Sequence, residues 1–282
     1  MASPATAGRV REALSAATDA FEAAGVDTPR LDAELLLAEA SGWDRARLAA
    51  EPDAMVDSAA GRRFGEMVRR RVRREPVAYI LGRKGFRRLD LAVDHRALIP
   101  RPETELLVEL ALELEPGTVL DVGTGSGAIA LAVADELPEC EVLATDTSED
   151  ALSLARENAE RLGLAERVRF ERGTVPPDRR FDLVLANLPY VGEEEAASLQ
   201  PEIADYEPRQ AVVAGANGFE AIAAVAAAAC AALEDDGSLA LEVGAGQAGA
   251  AAELLLDLGF LQVEGRQDLA GIPRVVLGRM GR

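Results

Sequence analysis

The 282-residue sequence contains few of the residue types that build metal centres, disulfide frameworks or base-stacking surfaces. It has one histidine, His95, and two cysteines, Cys140 and Cys230, which both lie in apolar runs. No His/Cys cluster is present to hold a metal, and two thiols in apolar surroundings are typical of a reduced, cytoplasmic protein. Aromatic residues make up only 4% of the chain, which is too few for a surface that stacks nucleic-acid bases.

The sequence also lacks long apolar runs and any excess of positive charge. Its longest apolar stretches, such as residues 221–233, are too short to cross a bilayer, and no basic-then-apolar leader opens the chain. The formal net charge is −19, of which residues 1–75 carry −1 (12 Arg against 13 Asp and Glu) and the remainder carries −18. Because such an acidic surface repels a phosphate backbone, we expect neither a membrane nor a nucleic-acid partner.

Residues 1–75 are predicted to form a small helical domain. Apolar residues spaced four, three and four apart indicate one buried helix face, made by Val10, Leu14, Ala17 and Phe21. A later helix, beginning near Asp57, is expected to turn Ala60, Phe64, Met67 and Val72 inward. Its other face then carries an arginine run, Arg69, Arg70, Arg71, Arg73 and Arg74, which is either solvated or a docking patch for an acidic partner.

The rest of the chain predicts a hairpin followed by an α/β domain. Residues 76–98 alternate weakly and contain two glycines, which favours a β-hairpin connector before a domain at 99–282. Strands are predicted at 118–122, 140–145, 167–171, 181–186, 237–243, 260–265 and 273–279, and helices at 127–137, 149–162, 217–234 and 246–258. The link 268–273 is too short for a helical crossover, so the last two strands should pair antiparallel. The acidic link 191–216 is interpreted as part of a substrate lid or as a solvated loop.

A glycine-rich turn follows the first strand of this domain and opens a helix. It runs Asp121-Val-Gly123-Thr124-Gly125-Ser126-Gly127. Its glycines allow a ligand to approach the backbone at an electropositive helix end, and Asp146, at the end of the next strand, can accept both hydroxyls of a ribose. The spacing differs from the G-x-G-x-x-G of dinucleotide enzymes. An acid at Asp121 would repel pyrophosphate but suit an amino group, which favours S-adenosylmethionine over a nicotinamide cofactor.

A second motif lies at the end of the fourth predicted strand of the domain. The strand stops at Asn187-Leu188-Pro189-Tyr190, because Pro189 cannot continue a strand ladder. The Asn187 amide oxygen and the Leu188 carbonyl then form a two-point acceptor for one NH2 group. Open α/β sheets bind ligands at this carboxyl edge, so the motif predicts a site for a planar amide or amine that Tyr190 would cover.

With these motifs the chain resembles the protein-glutamine N-methyltransferases that modify peptide chain release factors. The segments that carry the resemblance are Arg30–Leu36, Glu75–Gly82, Ile99–Glu105 (Ile-Pro-Arg-Pro-Glu-Thr-Glu), Asp121–Leu131, Tyr206–Arg209 and Asp268–Gly278. The resemblance implies a seven-stranded, Rossmann-like methyltransferase sheet with its last strand antiparallel, after an N-terminal helical bundle that docks the substrate. It also implies methyl transfer from S-adenosylmethionine to the glutamine of a Gly-Gly-Gln motif.

The resemblance also assigns roles to individual residues. The cofactor would contact Asp121, the loop Gly123–Gly127 (Gly123, Thr124, Gly125, Ser126, Gly127), Asp146 and Asn187. Asn187, Pro189 and Tyr190 would be catalytic, and the substrate would contact Asn187, Leu188, Pro189, Tyr190 and Arg101. Two departures stand out: Leu188 replaces the family's usual proline, and Arg172-Gly173-Thr174 replaces an acid near the adenine.

Two other functions fit parts of the pattern. An adenine amino-methyltransferase acting on RNA or DNA would present the same two hydrogens to Asn187, but the acidic charge and the few aromatics disfavour it. A non-catalytic cofactor-binding protein is disfavoured by the intact Asn187 and Tyr190. His95 is interpreted as structural, since methylation of an amide needs no general base: the methylated nitrogen sheds its proton readily to water.

Overall fold

The structure is a computed structural model that describes residues 8–281 and divides into two units. Unit 1 comprises the described residues up to Gly82 together with Pro201–Tyr206. Unit 2 comprises Arg83–Gln200 and the described residues from Glu207 onward. No helix within residues 8–281 is both long enough and apolar enough to span a membrane.

Helices and strands alternate along most of the described chain. The helices are α1 Val10–Ala23, α2 Pro29–Ser41, α3 Arg45–Ala50, α4 Ser58–Val72, α5 Val77–Leu81, α6 Glu105–Leu114, α7 Ala128–Glu136, α8 Glu149–Leu162, α9 Glu193–Ala196, α10 Pro201–Ala204, α11 Arg209–Val212, α12 Glu220–Ala232 and α13 Ala248–Asp257. The strands are β1 Arg83–Phe86, β2 Leu89–Ala92, β3 Thr118–Val122, β4 Glu141–Asp146, β5 Val168–Arg172, β6 Phe181–Asn187, β7 Leu233–Glu242, β8 Gln262–Gln267 and β9 Pro273–Arg279.

Unit 1 is a helical bundle with its own apolar core. The predicted face of α1 is buried as expected, and it packs with Leu36 and Leu37 of α2 and Phe64 of α4. The apolar residues of α1 recur at helical spacing, so only one side of the helix faces the core. The sequence therefore predicted correctly which side of this helix is buried.

The arginine run of α4 differs from the prediction. Val72 is 40% exposed, whereas Arg71 is only 5% exposed. Arg71 turns inward because two acids meet it there: its Nε lies 2.7 Å from Asp32 Oδ2, and its Nη1 lies 2.8 Å from Glu202 Oε1. Arg74 also pairs with Glu202, at 2.6 Å, so the run does not form one solvated face.

The connector is a hairpin only in its second part. Strands β1 and β2 pair antiparallel from Arg83 opposite Ala92 to Phe86 opposite Leu89, as predicted. Residues 77–81 before them form the short helix α5, which the sequence pattern did not predict. Pro76 precedes its first residue and Gly82 ends it at φ 70°, the left-handed conformation that closes a helix end.

Unit 2 contains a seven-stranded sheet in the order β5-β4-β3-β6-β7-β9-β8. All neighbours pair parallel except β9, which runs antiparallel to both β7 and β8. This confirms the predicted seven-stranded α/β sheet with an antiparallel last strand. Because β3, β4, β6 and β7 are parallel, their carboxyl ends share one edge, and Asn187 at the end of β6 lies directly beside Glu242 at the end of β7.

The link after β6 is more ordered than either prediction for it. It contains the short helices α9, α10 and α11, and Val191 forms an isolated parallel bridge with Val213. Its central segment, Pro201–Tyr206, belongs to unit 1, where Glu202 binds the arginines of α4 and the Tyr206 hydroxyl donates to the Arg73 carbonyl. The interpretation as a solvated loop is therefore wrong for Pro201–Tyr206, and the role of the link as part of a substrate lid stays a prediction.

Candidate active site

A cavity of about 310 Å³ opens at the carboxyl edge of the sheet, within unit 2. Its volume lies in the range of small-molecule sites. Eight of the residues that the sequence singled out line it: Gly123, Thr124, Gly125, Ser126, Asp146, Asn187, Leu188 and Pro189. Four others, Asp121, Gly127, Tyr190 and Arg101, are not among the lining residues.

The glycine loop turns sharply out of β3 because its first amides bond back to the neighbouring strand. Gly123 N and Thr124 N both donate to the Thr145 carbonyl, at 2.8 and 3.0 Å. Gly127 immediately precedes α7 at φ 84°, and a Cβ there would lie 2.9 Å from Leu131 Cδ1 and 3.2 Å from Ala155 Cβ. Glycine at 127 therefore serves the close packing of α7 on α8, whereas the residues before it face the cavity.

Asp146 is held in place by the loop that it faces. Its Oδ2 accepts a hydrogen bond from Gly125 N at 3.0 Å, and its Oδ1 accepts one from Ser148 N at 2.9 Å. Each carboxylate oxygen has a second lone pair, so both can accept a further hydroxyl from a ligand in the cavity. The carboxylate is thus oriented for two-point recognition of a diol.

Asp121 lies beneath the loop and is fully buried. Its Oδ2 accepts hydrogen bonds from the Thr124 hydroxyl at 2.7 Å and from Ala130 N at 3.2 Å, while its Oδ1 has no hydrogen-bond partner in the described structure. Burial raises the pKa of this carboxyl to about 7, although the two hydrogen bonds act in the opposite direction. Asp121 therefore shapes the loop and leaves one buried oxygen that would favour a nearby positive charge.

The Asn187 amide has a defined orientation. Its Nδ2 donates to the Thr104 hydroxyl oxygen at 3.0 Å, which leaves Oδ1 as the atom available to a ligand. Leu188 follows with its side chain in the sheet core, 8% exposed, and its Cδ2 would lie 3.2 Å from a Cβ at Gly123. The side chain at 188 is thus used for packing, and the main-chain carbonyl is the group that this position can offer to a ligand.

Tyr190 is held from its backbone. Its carbonyl accepts a hydrogen bond from Gln247 Nε2 at 2.9 Å, and its ring lies close to the loop after β7, since a Cβ at Gly244 would meet Tyr190 Cδ2 at 3.1 Å. Burial raises the pKa of its phenol, and the charge of Glu242 raises it further. Tyr190 is thus a neutral ring beside the acceptor pair rather than a base.

Arg101 is engaged within unit 2. It forms an ion pair with Glu207, whose side chain is 1% exposed and also accepts a hydrogen bond from Ile99 N at 3.3 Å. Burial raises the pKa of Glu207, and Arg101 opposes that shift. The Ile-Pro-Arg segment is therefore fixed to the start of α11, and a substrate contact by Arg101 remains a prediction.

The region where the family has an acid near the adenine is part of the cavity. Gly173 and Thr174 line it, and Gly173 N donates to the Asp146 carbonyl at 2.9 Å. This brings the end of β5 against the end of β4. A ligand base there would meet backbone and a hydroxyl instead of a carboxylate.

Three residues that shape the site were missed by the sequence analysis. Asn158 joins the hairpin to the glycine loop, since its Nδ2 donates to the carbonyls of Ala92 and Ser126 and its Oδ1 accepts from Ala92 N. Thr104 and Glu242 lie behind Asn187. Glu242 lies near the end of a predicted strand, so the rule that selected Asp146 could have found it. Thr104 lies in the segment Ile99–Glu105 that carries the family resemblance, and no comparable signal marks Asn158.

Among residues 8–281 no group of three or more His, Cys, Asp or Glu side chains is arranged to hold a metal ion. The acceptors at the carboxyl edge are single carboxylates and amides on separate strands. The chemistry that this edge offers is hydrogen bonding to a diol, to a positive charge and to an NH2 group.

Comparisons with known proteins match both the helical part of the chain and its α/β domain. A model of the PrmC N-terminal domain matches residues 12–82, and a model of the methyltransferase small domain matches residues 102–205. A methyltransferase from Pyrococcus furiosus, 21% identical, superposes with a TM-score of 0.53 over 69% of this chain and 90% of its own, which shows a shared fold.

Curated relatives match over nearly the whole chain. A release factor glutamine methyltransferase from Nitratidesulfovibrio vulgaris is 42% identical over 94% of this chain and 93% of its own. Another from Koribacter versatilis is 40% identical over 96% of this chain and 98% of its own. The resemblance drawn from the motifs is thereby confirmed, and the chain belongs to the release factor glutamine methyltransferase family.

Proposed function

We propose that this enzyme transfers a methyl group from S-adenosylmethionine to the side-chain amide nitrogen of the glutamine in the Gly-Gly-Gln motif of peptide chain release factors. The observation that carries the proposal is the orientation of Asn187. Because Nδ2 of Asn187 donates a hydrogen bond to Thr104, its Oδ1 remains as an acceptor. Together with the Leu188 carbonyl it forms a pair of acceptors that matches the two hydrogens of a primary amide. Such a substrate acts in translation termination, which makes a cytoplasmic location part of the proposal.

The donor set at the cavity fits S-adenosylmethionine. Asp146 can accept the two ribose hydroxyls, and the carboxylate of Asp121, buried beneath the loop, favours a positive charge such as a cationic amino group above the loop. Gly173 and Thr174 offer the adenine backbone and hydroxyl contacts. When bound, this cofactor supplies an electrophilic methyl group on a sulfonium.

The residues of this chain then act by alignment. An amide nitrogen is a poor nucleophile because its lone pair is delocalised into the carbonyl. Two acceptors on its hydrogens fix the amide's rotation and present the nitrogen face to the methyl group, while Tyr190 covers the amide plane and limits access of water. The product nitrogen loses its proton to water, so no side chain is required as a base.

Unit 1 is proposed to bind the body of the release factor. In the arginine run of α4, Arg70, Arg71 and Arg74 are engaged with acids, which leaves Arg69 and Arg73 as the exposed members that a partner could meet. Charge reversal of both, Arg69→Glu with Arg73→Glu, should raise KM for whole release factor and leave KM for a short Gly-Gly-Gln peptide unchanged. An equal rise for both substrates would contradict a docking role for these two arginines.

Mass spectrometry of the substrate tests the reaction itself. The purified enzyme is incubated with an unmodified release factor and the cofactor, and the tryptic peptide that contains Gly-Gly-Gln is sequenced. One added methyl on the glutamine side chain is expected, and a factor with that glutamine changed to alanine is the control. An unmodified glutamine together with methylated adenine in total RNA would overturn the proposal in favour of a nucleic-acid substrate.

A further inference from the structure

Two buried side chains lie behind Asn187: Thr104, which accepts the hydrogen bond from its Nδ2, and Glu242, which has had no part in the reaction so far. Thr104 ends the 3₁₀ turn Pro102–Thr104 and is 3% exposed. Glu242 ends β7, directly beside Asn187 in the sheet, and is also 3% exposed. The Glu242 carboxyl lies within hydrogen-bonding reach of the Thr104 hydroxyl, and its Oε2 has no partner in the described structure.

The three side chains form a chain of hydrogen-bond contacts, Glu242–Thr104–Asn187, in which the Thr104 hydroxyl can donate only one hydrogen bond. If the Thr104 hydroxyl donates to an ionised Glu242, its oxygen can only accept, so the NH2 of Asn187 must face it. Asn187 Oδ1 then faces the substrate. If Glu242 is protonated, its hydroxyl can donate a hydrogen bond to the Thr104 oxygen instead. The Thr104 hydroxyl is then free to donate a hydrogen bond to Asn187 Oδ1, and in that orientation the NH2 of Asn187 faces the substrate.

We infer that Glu242 and Thr104 are positioning residues that set the orientation of the Asn187 amide, and that the active orientation requires an ionised Glu242. The inference rests on the proposed function for its kinetic consequence, because only the orientation with Oδ1 outward can accept hydrogens from a substrate NH2. It also explains why a carboxylate is kept with an unpaired oxygen in a site that needs no base. An uncharged residue there would not hold the Thr104 proton in one direction.

The charge of Glu242 is balanced by groups from several elements. Burial is the main influence and raises its pKa to about 7; Glu103 of the 3₁₀ turn raises it further, while Thr104, Arg274 of β9 and Arg101 lower it. The Tyr190 phenol also faces the carboxyl. Ionisation of Glu242 is therefore expected to change across the neutral pH range, and the fraction of Asn187 in the active orientation should rise with pH.

A matched pair of variants tests the role of Thr104. Thr104→Val keeps the shape of the side chain and removes the hydroxyl, whereas Thr104→Ser keeps the hydroxyl. We expect Thr104→Val to lower kcat about tenfold or more, with cofactor Kd by calorimetry within about twofold of the parent, and Thr104→Ser to retain most of kcat. Thr104→Val with the parent kcat, or Thr104→Ser as impaired as Thr104→Val, would overturn the inference.

The role of Glu242 is tested by the pH profile at saturating cofactor. The parent enzyme should gain kcat as pH rises through about 7, and Glu242→Gln, which cannot ionise, should lose that dependence. The same rise in Glu242→Gln would overturn the inference.

A readout without substrate separates this inference from the proposed function. The side-chain NH2 resonances of Asn187, assigned by comparison with Asn187→Ala, should shift with pH in the parent protein and stay constant in Glu242→Gln. If release factor is not methylated but the resonances shift with pH only in the parent protein, the proposed function fails and the positioning role of Glu242 and Thr104 stands. If release factor is methylated and the resonances of both proteins respond to pH in the same way, the proposed function stands and only the positioning role of Glu242 and Thr104 fails.

Discussion

The two units bury acidic side chains in opposite ways. In unit 1, Asp32 and Glu202 meet Arg71 and Arg74, and each acid has an arginine nitrogen within 2.8 Å. In unit 2, Asp121 and Glu242 are buried, at 0% and 3% exposed, yet each keeps an oxygen without a hydrogen-bond partner in the described structure.

The difference appears in the protonation of the two sets. Burial alone would raise the pKa of Glu202, but hydrogen bonds from Arg74 and Arg71 bring it below its ordinary value. The pKa values of Asp121 and Glu242 are instead raised to about 7, mainly by burial. A buried acid that only supports the fold is neutralised by its own chain, whereas an acid left unpaired at the ligand edge of a sheet indicates a partner or a function outside the chain.

The largest effect is expected from breaking the paired set. Arg71→Ala leaves Asp32 buried without its cation, while Glu202 keeps Arg74, and should destabilise unit 1 by about 3–5 kcal/mol. Trp43 is the only tryptophan and packs in the unit 1 core, so urea unfolding followed by its fluorescence reports this unit. Arg69→Ala, on the exposed side of α4, should change the free energy of unfolding by no more than about 0.5 kcal/mol. Equal changes in the free energy of unfolding for the two variants would contradict a stabilising role for the buried ion pair of Arg71.

The next effect concerns the acceptor that the unpaired Glu242 is inferred to orient. Asn187→Ala should lower kcat at least about a hundredfold with cofactor affinity largely kept, because only alignment of the substrate amide is lost. Steady-state kinetics with release factor and calorimetry with cofactor measure the two quantities. Asn217→Ala, at an exposed position outside the cavity, is the control. Near-normal turnover in Asn187→Ala would mean that other groups hold the amide.

Asp146 tests whether a half-buried acid at the same edge serves a ligand. Asp146→Ala should weaken cofactor binding by about 1.5–3 kcal/mol, the size of hydrogen bonds to a charged group. Asp150→Ala, four residues further along and exposed, should bind with unchanged affinity. Unchanged calorimetric affinity in Asp146→Ala would remove Asp146 from the cofactor site.

The smallest effect is the pH dependence of stability. Because the folded-state pKa values of Asp121 and Glu242 lie above those of the unfolded chain, the folded state holds more protons between about pH 4 and 7. Their contribution to the stability of unit 2 should therefore fall as pH rises from about 4 to 7 and stay constant above. The calorimetric melting temperature of unit 2 should decline less with pH in Glu242→Gln, and an identical decline in parent and variant would contradict these raised pKa values.

Much of unit 2 could be predicted because local signals and edge geometry agree there. Short runs of mostly apolar residues mark the central strands β3, β4 and β6, whose side chains are buried in the core of the sheet. The rule that ligands bind at the carboxyl edge then selects Asp146 and Asn187 from the sequence. Errors in the predicted elements are confined to their ends: the pattern extended α12 to residue 234, but the helix ends at Ala232 and β7 begins at Leu233. The short helices α9 and α11 in the link after β6 were not predicted.

Unit 1 shows where such reasoning stops. Val72 and Arg71 are neighbours on α4, and apolarity alone selects Val72 for the core. Arg71 is buried instead because its guanidinium reaches two acids. Asp32 lies 39 residues earlier in the chain, and Glu202 lies on a segment that comes from the middle of the other unit's sequence. Partners that distant leave no periodic signal in the sequence.

The sequence by itself thus determined the order of strands and helices, the glycine loop and the positions of Asp146 and Asn187 at the ends of their strands, since these depend on short-range patterns. The tertiary structure alone decided which atom of the Asn187 amide is left free to accept a hydrogen bond, because that depends on a hydrogen bond to Thr104, 83 residues away. It also decided the charge of Glu242, because a carboxyl's pKa is set by its burial and by the charges that the fold gathers around it.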